Sequence, residues 1–340
     1  MSTLVVTQQG AQVRCAGGQV LVELGGVVIA RMPQVQMERV LLLGGIGLTT
    51  GFLNFALDRR IPVTFLTQDG HYKGRLDPGG RRDIAIRLAQ YKTLHDLPFR
   101  QETARALVRV KVNAQRALLL RCARNHPVAA LTGAAQAMEA LLVRLPDAAT
   151  LPQIMGIEGS AARLYFAALP SALRRPMPFR GRSRRPPRDP VNALLSLGYG
   201  LLSAEIIGAL AGVGLDPQIG LFHSSRGRMP ALAQDLLELF RAPVADALAL
   251  SLVNLGILQE KQFESLPNGG IILAKPALET YFRHYRRRMQ ATFRGRTGQP
   301  TSFRHEVQVQ ASHWRRVILR EEPFVPFLAP LGGPLVKSNK

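Results

Sequence analysis

Between residue 3 and about residue 75 the apolar residues come in short β-branched runs. TLVVT, AQVRCA, QVLVEL, VVIAR and PVTFLT are each a strand's length and are separated by Gly-containing turns, the pattern of half-buried strands. One helix interrupts them: in TTGFLNFALDRR (49–60), Phe52, Leu53, Phe55 and Ala56 recur at helical spacing behind a threonine cap. QDGHYKGRL then predicts a hairpin turning at Asp69-Gly70. The period changes after DPGGRRD (77–83), whose proline, glycines and charges mark a linker. Segments 83–95, 99–124 and 127–145 carry apolar positions three and four apart, punctuated by Pro98, Pro127 and Pro146, and two blocks at 191–212 and 230–258 continue the pattern. The expected fold class is α+β. A small N-terminal β-rich domain (1–78) precedes a larger α-helical domain (79–322) and a Pro- and Gly-rich extended tail (323–340).

Composition adds a partner to this picture. At 340 residues and 46% apolar content the chain can bury two cores, but its 44 Lys plus Arg face only 23 Asp plus Glu, a net charge of +21. That excess requires a polyanion, and nucleic acid comes before a membrane surface, because the arginines do not line one face of an amphipathic helix. The nearly uncharged stretches Leu41–Leu57 and Ala247–Leu258 are too polar or too short to span a bilayer, and MSTLVVTQQG does not read as a signal peptide. Cys15 and Cys122, the only cysteines, exclude a disulfide framework and a thiolate zinc site, so a soluble protein of a reducing cytoplasm is expected. GGIGLTTG has the wrong glycine spacing for a dinucleotide site, and no phosphate-binding G-x-x-x-x-G-K-[ST] loop occurs, so no nucleotide cofactor is expected.

Two basic clusters are candidates for phosphate contacts. From Arg174 to Arg188 seven arginines (Arg174, Arg175, Arg180, Arg182, Arg184, Arg185 and Arg188) and four prolines precede the first acid, Asp189, which predicts a mobile loop of guanidinium forks. In 282–296, Arg283, Arg286 and Arg287 lie near Tyr281, Phe282 and Tyr285. Those aromatics either stack an exposed base or pack inward.

The candidate chemistry lies elsewhere. In GIEGSAARLYF an apolar stripe of Ile157, Ala161, Leu164 and Ala168 places Glu158 in a first helical turn, on one face with Tyr165. In MPALAQDLLELFR the stripe Leu232, Leu236 and Leu239 leaves Asp235 and Glu238 three apart on an adjoining face, and His223 precedes them across SSRGRMP. Carboxylate oxygens with one imidazole suit Mn²⁺ or Mg²⁺ better than zinc, and such an ion polarises phosphoryl oxygens. The competing readings are structural: a Glu158 that favours a helix dipole and a surface pair of Glu238 with Arg241.

At these residues the chain resembles the CRISPR-associated spacer-acquisition integrases, the larger, catalytic member of the adaptation pair. The likeness rests on GIEGSAARLYF, FRGRSRRPPRDPVNALLSLGYGLL and GLDPQIGLFHSSRGRMPALAQDLLELFRAPVAD, in that order, with LLLGGIGLTTGFLNFALDRRIPVTFLTQDGHYKGRL similar to the family's N-terminal domain. The resemblance implies that Glu158, His223 and Glu238 bind Mg²⁺ or Mn²⁺, with Asp235 as an assisting acid and Tyr165 and Tyr199 as active-site neighbours. It implies a homodimer formed through the first domain and paired around a small ferredoxin-like partner. It also implies a reaction in which 3′-hydroxyl ends of short double-stranded DNA attack phosphodiesters of a repeat array. A nonenzymatic basic scaffold and a general metal-dependent nuclease that never integrates are the alternatives.

Overall fold

The computed structural model describes residues 2–76, 84–183, 186–223, 230–295 and 298–329, and the chain divides into two units, 1–82 and 83–340. In the first unit, β1 (Ser2–Val6), β5 (Met37–Leu43), β7 (Val63–Leu66) and β8 (Tyr72–Leu76) form one sheet in the order β1-β5-β7-β8. A second sheet has the order β4-β3-β2-β6, from β2 (Gln12–Ala16), β3 (Gln19–Leu24), β4 (Val27–Pro33) and the short β6 (Gly47–Leu48). Val13, Val20, Val22, Val40, Leu42 and Val63 belong to a common core with Phe52 and Ala56 of α1 (Thr50–Asp58). Thr49 caps α1 by accepting from the Phe52 amide, as expected. The turn before β8 carries Gly70 at φ +85°, a conformation that glycine adopts without strain. Strand β5 was not expected: its MERVLLL run lacks alternation because, lying between two parallel neighbours, it is buried on both faces from Val40 onward.

The second unit is helical. Its first helices are α2 (Ile84–Thr93), α3 (Leu97–Asn125), α4 (Ala129–Val143) and α5 (Leu151–Ala168), and the last three pack on one another. Helix α6 (Pro190–Gly212), capped by Asp189, is apolar on all sides and long enough to cross a membrane, but it is mostly buried as the unit's central helix. The expected block 230–258 is broken into α7 (Ala231–Leu237), a π-helical turn (Arg241–Asp246) and α8 (Ala247–Asn254). Pro243 lacks the N–H that a regular ladder needs, which accounts for the widened turn.

The remainder contains two small hairpins, β9 (Phe263–Ser265) with β10 (Ile271–Leu273) and β11 (Thr292–Arg294) with β12 (Pro300–Ser302), and two helices, α9 (Lys275–Gln290) and α10 (Phe303–Ile318). Helix α10, not foreseen, buries Phe303, Val307, Ala311, Trp314 and Ile318 behind a Ser302 cap. The chain end through Ala329 has no regular structure, yet it is docked. Phe327 stacks on Phe240 and Phe293, and the Phe327 and Val325 amides donate to Gln310 and His313.

Candidate metal centre

Thr150 and Gln153 form a capping box that starts α5 well before GIEGSAARLYF, so Glu158 lies mid-helix and not in a first turn. That correction removes the dipole explanation for Glu158. The buried stripe is Ile154, Ala161, Tyr165 and Ala168, which shares Ala161 and Ala168 with the expected one but takes Ile154 and Tyr165 in place of Ile157 and Leu164, and it leaves Glu158 half-buried and facing α3.

His223 is placed by Asp235. This carboxylate is fully buried and accepts the amides of Leu221 (2.7 Å), Phe222 (3.1 Å) and His223 (2.9 Å), and it also meets His223 Nδ1 at 2.7 Å. Gly220 permits the approach, since a Cβ there would stand 2.7 Å from the Ala231 carbonyl carbon at the start of α7. With Nδ1 engaged, Nε2 is the nitrogen left free, and it lies 4.0 Å from Glu238 Oε1. Asp235 therefore holds the histidine and is not itself directed at a ligand. Burial pulls the imidazole down, but the hydrogen bond and charge of Asp235, aided by Glu238, outweigh it and raise His223 above its ordinary value.

Glu238 follows α7 directly and is only 2% exposed. Burial opposes its ionisation, yet Arg241, Lys111 and His223 together hold the carboxyl at about 2. Arg241 Nη1 contacts Oε1 at 2.9 Å and Lys111 Nζ contacts Oε2 at 2.8 Å, so the expected pair with Arg241 exists but is buried. Lys111, on α3 and 7% exposed, also pairs with Glu158. Glu158 and Glu238, far apart in sequence, thus meet on one ammonium, with His223 Nε2 beside Glu238.

This arrangement tests the fit of a dication. Two carboxylates that converge on a cation, next to an imidazole nitrogen whose partner atom is fixed, are a suitable donor set for Mg²⁺ or Mn²⁺. Among the described residues, no trio of acidic, His or Cys side chains is yet drawn tightly enough to hold an ion. The lysine stands between the two carboxylates, and its 2.8 Å contact with Glu238 is longer than the roughly 2.1 Å of a Mg²⁺–oxygen bond.

A second buried cluster adjoins the first. Tyr165 and Tyr199 donate to Asp246 at 2.7 and 2.6 Å. Burial raises the Asp246 carboxyl to about 6 despite those bonds and the charges of Arg241 and Arg182, and burial with Asp246 pushes both phenols well up. Arg241 lies 4.8 Å from the Tyr199 ring centre and joins this cluster to Glu238. Both tyrosine hydroxyls are engaged internally by Asp246, which lies beside the Glu238–Arg241 pair.

Three arginines of the expected phosphate-contacting loop also bond within the protein. Arg182 donates to Asn192 and Ser196 and lies over the Tyr199 ring, Arg175 reaches the Asn254 carbonyl, and Arg188 reaches the carbonyls of Asn268 and Gly269. Arg174, Arg175, Arg180 and Arg188 remain exposed, whereas Arg184 and Arg185 lie outside the described residues. On α9, Arg283, Arg286 and Arg287 are exposed, while Tyr281 and Tyr285 are buried and turn inward, which removes base stacking by them. Sequence reasoning missed Lys111, Arg241 and Asp246 as site residues. Their signal is a charge inside an apolar pattern: Lys111 interrupts the buried stripe Leu107, Val108, Val112, Leu118, and Asp246 stands alone between Ala245 and Ala247.

The profile of the family described as CRISPR associated protein Cas1 matches residues 4–287. This chain belongs to the Cas1 family. A CRISPR-associated endonuclease Cas1 of Thermus thermophilus is 35% identical over 333 residues, covering 96% of this chain and 98% of that one. Among solved structures, a casposase bound to integration product superposes with a TM-score of 0.84 at 21% identity, covering 100% of this chain and 96% of that one. A chain of a Cas6-RT-Cas1–Cas2 complex gives 0.81 at 23% identity, over 94% of this chain and 35% of that chain. At these identities the two structures speak for the Cas1 fold, and the Cas1 assignment rests on the family profile and the relative.

Proposed function

We propose that this Cas1-family chain is a divalent-metal-dependent DNA endonuclease and integrase that joins short duplexes to a CRISPR repeat array by attack of 3′-hydroxyl groups on phosphodiesters. The observation that carries this reading is the convergence of Glu158 and Glu238 on one cation, with His223 Nε2 beside Glu238. Its relative is named an endonuclease, and its structural neighbour is a casposase holding an integration product.

Glu158, His223 and Glu238 would hold Mg²⁺ or Mn²⁺. Bound there, the ion supplies a Lewis acid for a phosphoryl oxygen and for the attacking or departing oxygen. Asp235 keeps His223 in one orientation with Nε2 forward. Arg241 fixes the free rotation of Glu238, and the Tyr165–Asp246–Tyr199 cluster fixes Arg241 from behind. Exchange of one phosphodiester for another needs no nucleotide triphosphate. The exposed arginines Arg180, Arg283, Arg286 and Arg287 would neutralise backbone phosphates. By its family, the chain would work in the cytoplasm as a homodimer through its first unit, with a small ferredoxin-like partner such as Cas2.

Strand-transfer assays test this. Glu158→Ala, His223→Ala and Glu238→Ala should each abolish metal-dependent joining of a duplex to repeat-containing DNA while DNA binding persists. Joining that survives all three substitutions would leave the basic-scaffold reading. Cleavage by the wild type without ligated product would leave the general nuclease.

A further inference from the structure

Lys111 stands between Glu158 and Glu238, where the proposed function would put a metal ion. It is placed there by a long-range arrangement of three helices: α3 carries the lysine, α5 carries Glu158, and Glu238 follows the last residue of α7. Lys111 is 7% exposed and its ammonium contacts one oxygen of each carboxylate, while Arg241 holds the remaining oxygen of Glu238. Resting on the metal reading of this site, we propose that Lys111 is a resident counter-cation that a divalent ion must displace on binding.

The reasoning is electrostatic and steric. Two carboxylates that converge in a buried place strongly repel unless a cation lies between them. In the metal-free protein the Lys111 ammonium meets that need. An ion bonded to the same oxygens at roughly 2.1 Å would share its space and face a like charge at close range, so both cannot stay. Loading is then an exchange of one cation for another. The carboxylates stay ionised and aligned throughout, and weakly bound or wrong ions must compete with a tethered rival. The released side chain, on a four-carbon stem, stays at the edge of the site.

The wild-type, full-length protein offers the first test. Lysine acetylation read by peptide mass spectrometry should label Lys111 severalfold faster in Mn²⁺ than in EDTA, because a paired, buried ammonium is protected and a displaced one is not. Labelling that is equal or slower in Mn²⁺ would overturn the exchange. A second test uses Lys111→Met, which removes the charge and keeps the bulk. Without metal its melting temperature should fall, and its apparent Kd for Mn²⁺ by calorimetry should tighten by roughly tenfold or more, since no rival remains. Lys111→Arg should bind Mn²⁺ no more tightly than the wild type. If Lys111 merely buttresses the site, Lys111→Met would bind Mn²⁺ equally or more weakly, and the proposal fails alone. If neither the wild type nor Lys111→Met binds Mn²⁺ or gains thermal stability from it, the metal reading itself fails and takes this inference with it.

Discussion

The two units keep their interiors together by different means. In the first, the only buried polar residue among those described is Thr64, and the core is Val13, Val20, Val40, Phe52 and Val63 with their neighbours. In the second, Lys111, Asp235, Glu238, Asp246, Arg288, Glu306 and His313 are all buried. Apolar burial is non-directional and stabilises without specifying chemistry. Buried charge contributes little net stability, yet it fixes geometry, and removing one partner strands the other. The contrast separates a unit built for shape from one that holds charges in readiness.

Breaking the charged side should have the largest effect. Arg241→Met leaves Glu238 with one cation fewer in a 2% exposed place, and the second unit should lose about 3–5 kcal/mol in urea unfolding without metal. A loss well under 1 kcal/mol would mean that the buried pair is not organising the site. The matching test on the apolar side is Leu42→Ala, expected to cost the first unit about 2–5 kcal/mol while Mn²⁺ affinity is unchanged. Weakened metal binding in that variant would blur the division between the units.

The next effect depends on pH. The Asp246 carboxyl lies at about 6 in the fold against 3.8 ordinarily, so the folded chain keeps its proton better. Its contribution is complete below about pH 4 and is lost as pH rises through 6, a difference on the order of 3 kcal/mol. Asp246→Asn should flatten unfolding free energy between pH 4 and 7, and an unchanged slope would contradict the assignment. Smallest are the exposed arginines of α9. Arg283→Ala, Arg286→Ala and Arg287→Ala should each alter stability by less than about 0.5 kcal/mol. Each that meets a phosphate should reduce the salt slope of duplex binding by about 0.9, and slopes that never change would move the DNA path away from α9.

Where local pattern decides structure, the sequence was readable. Thr49 announced α1, Asp69-Gly70 the hairpin, and the prolines the limits of α3 and α4. Strand β5 was hidden because a strand buried on both faces has no alternation, and the π turn because Pro243 widens a helix that the pattern continues through. Glu158, His223 and Glu238 were nameable from residue type and resemblance. Lys111 was not, because its partners lie on other helices, 47 residues away for Glu158. Arg182 was misread for the opposite reason: a Pro- and Arg-rich stretch looks solvated, but Asn192 and Ser196 of α6 capture its guanidinium.

An anomalous-difference map from Mn²⁺-soaked crystals tests the central claim most directly. It should show one peak bonded at about 2.1–2.3 Å to Glu158, His223 Nε2 and Glu238, with the Lys111 ammonium withdrawn. No peak there, or one that touches fewer than two of these side chains, would contradict it.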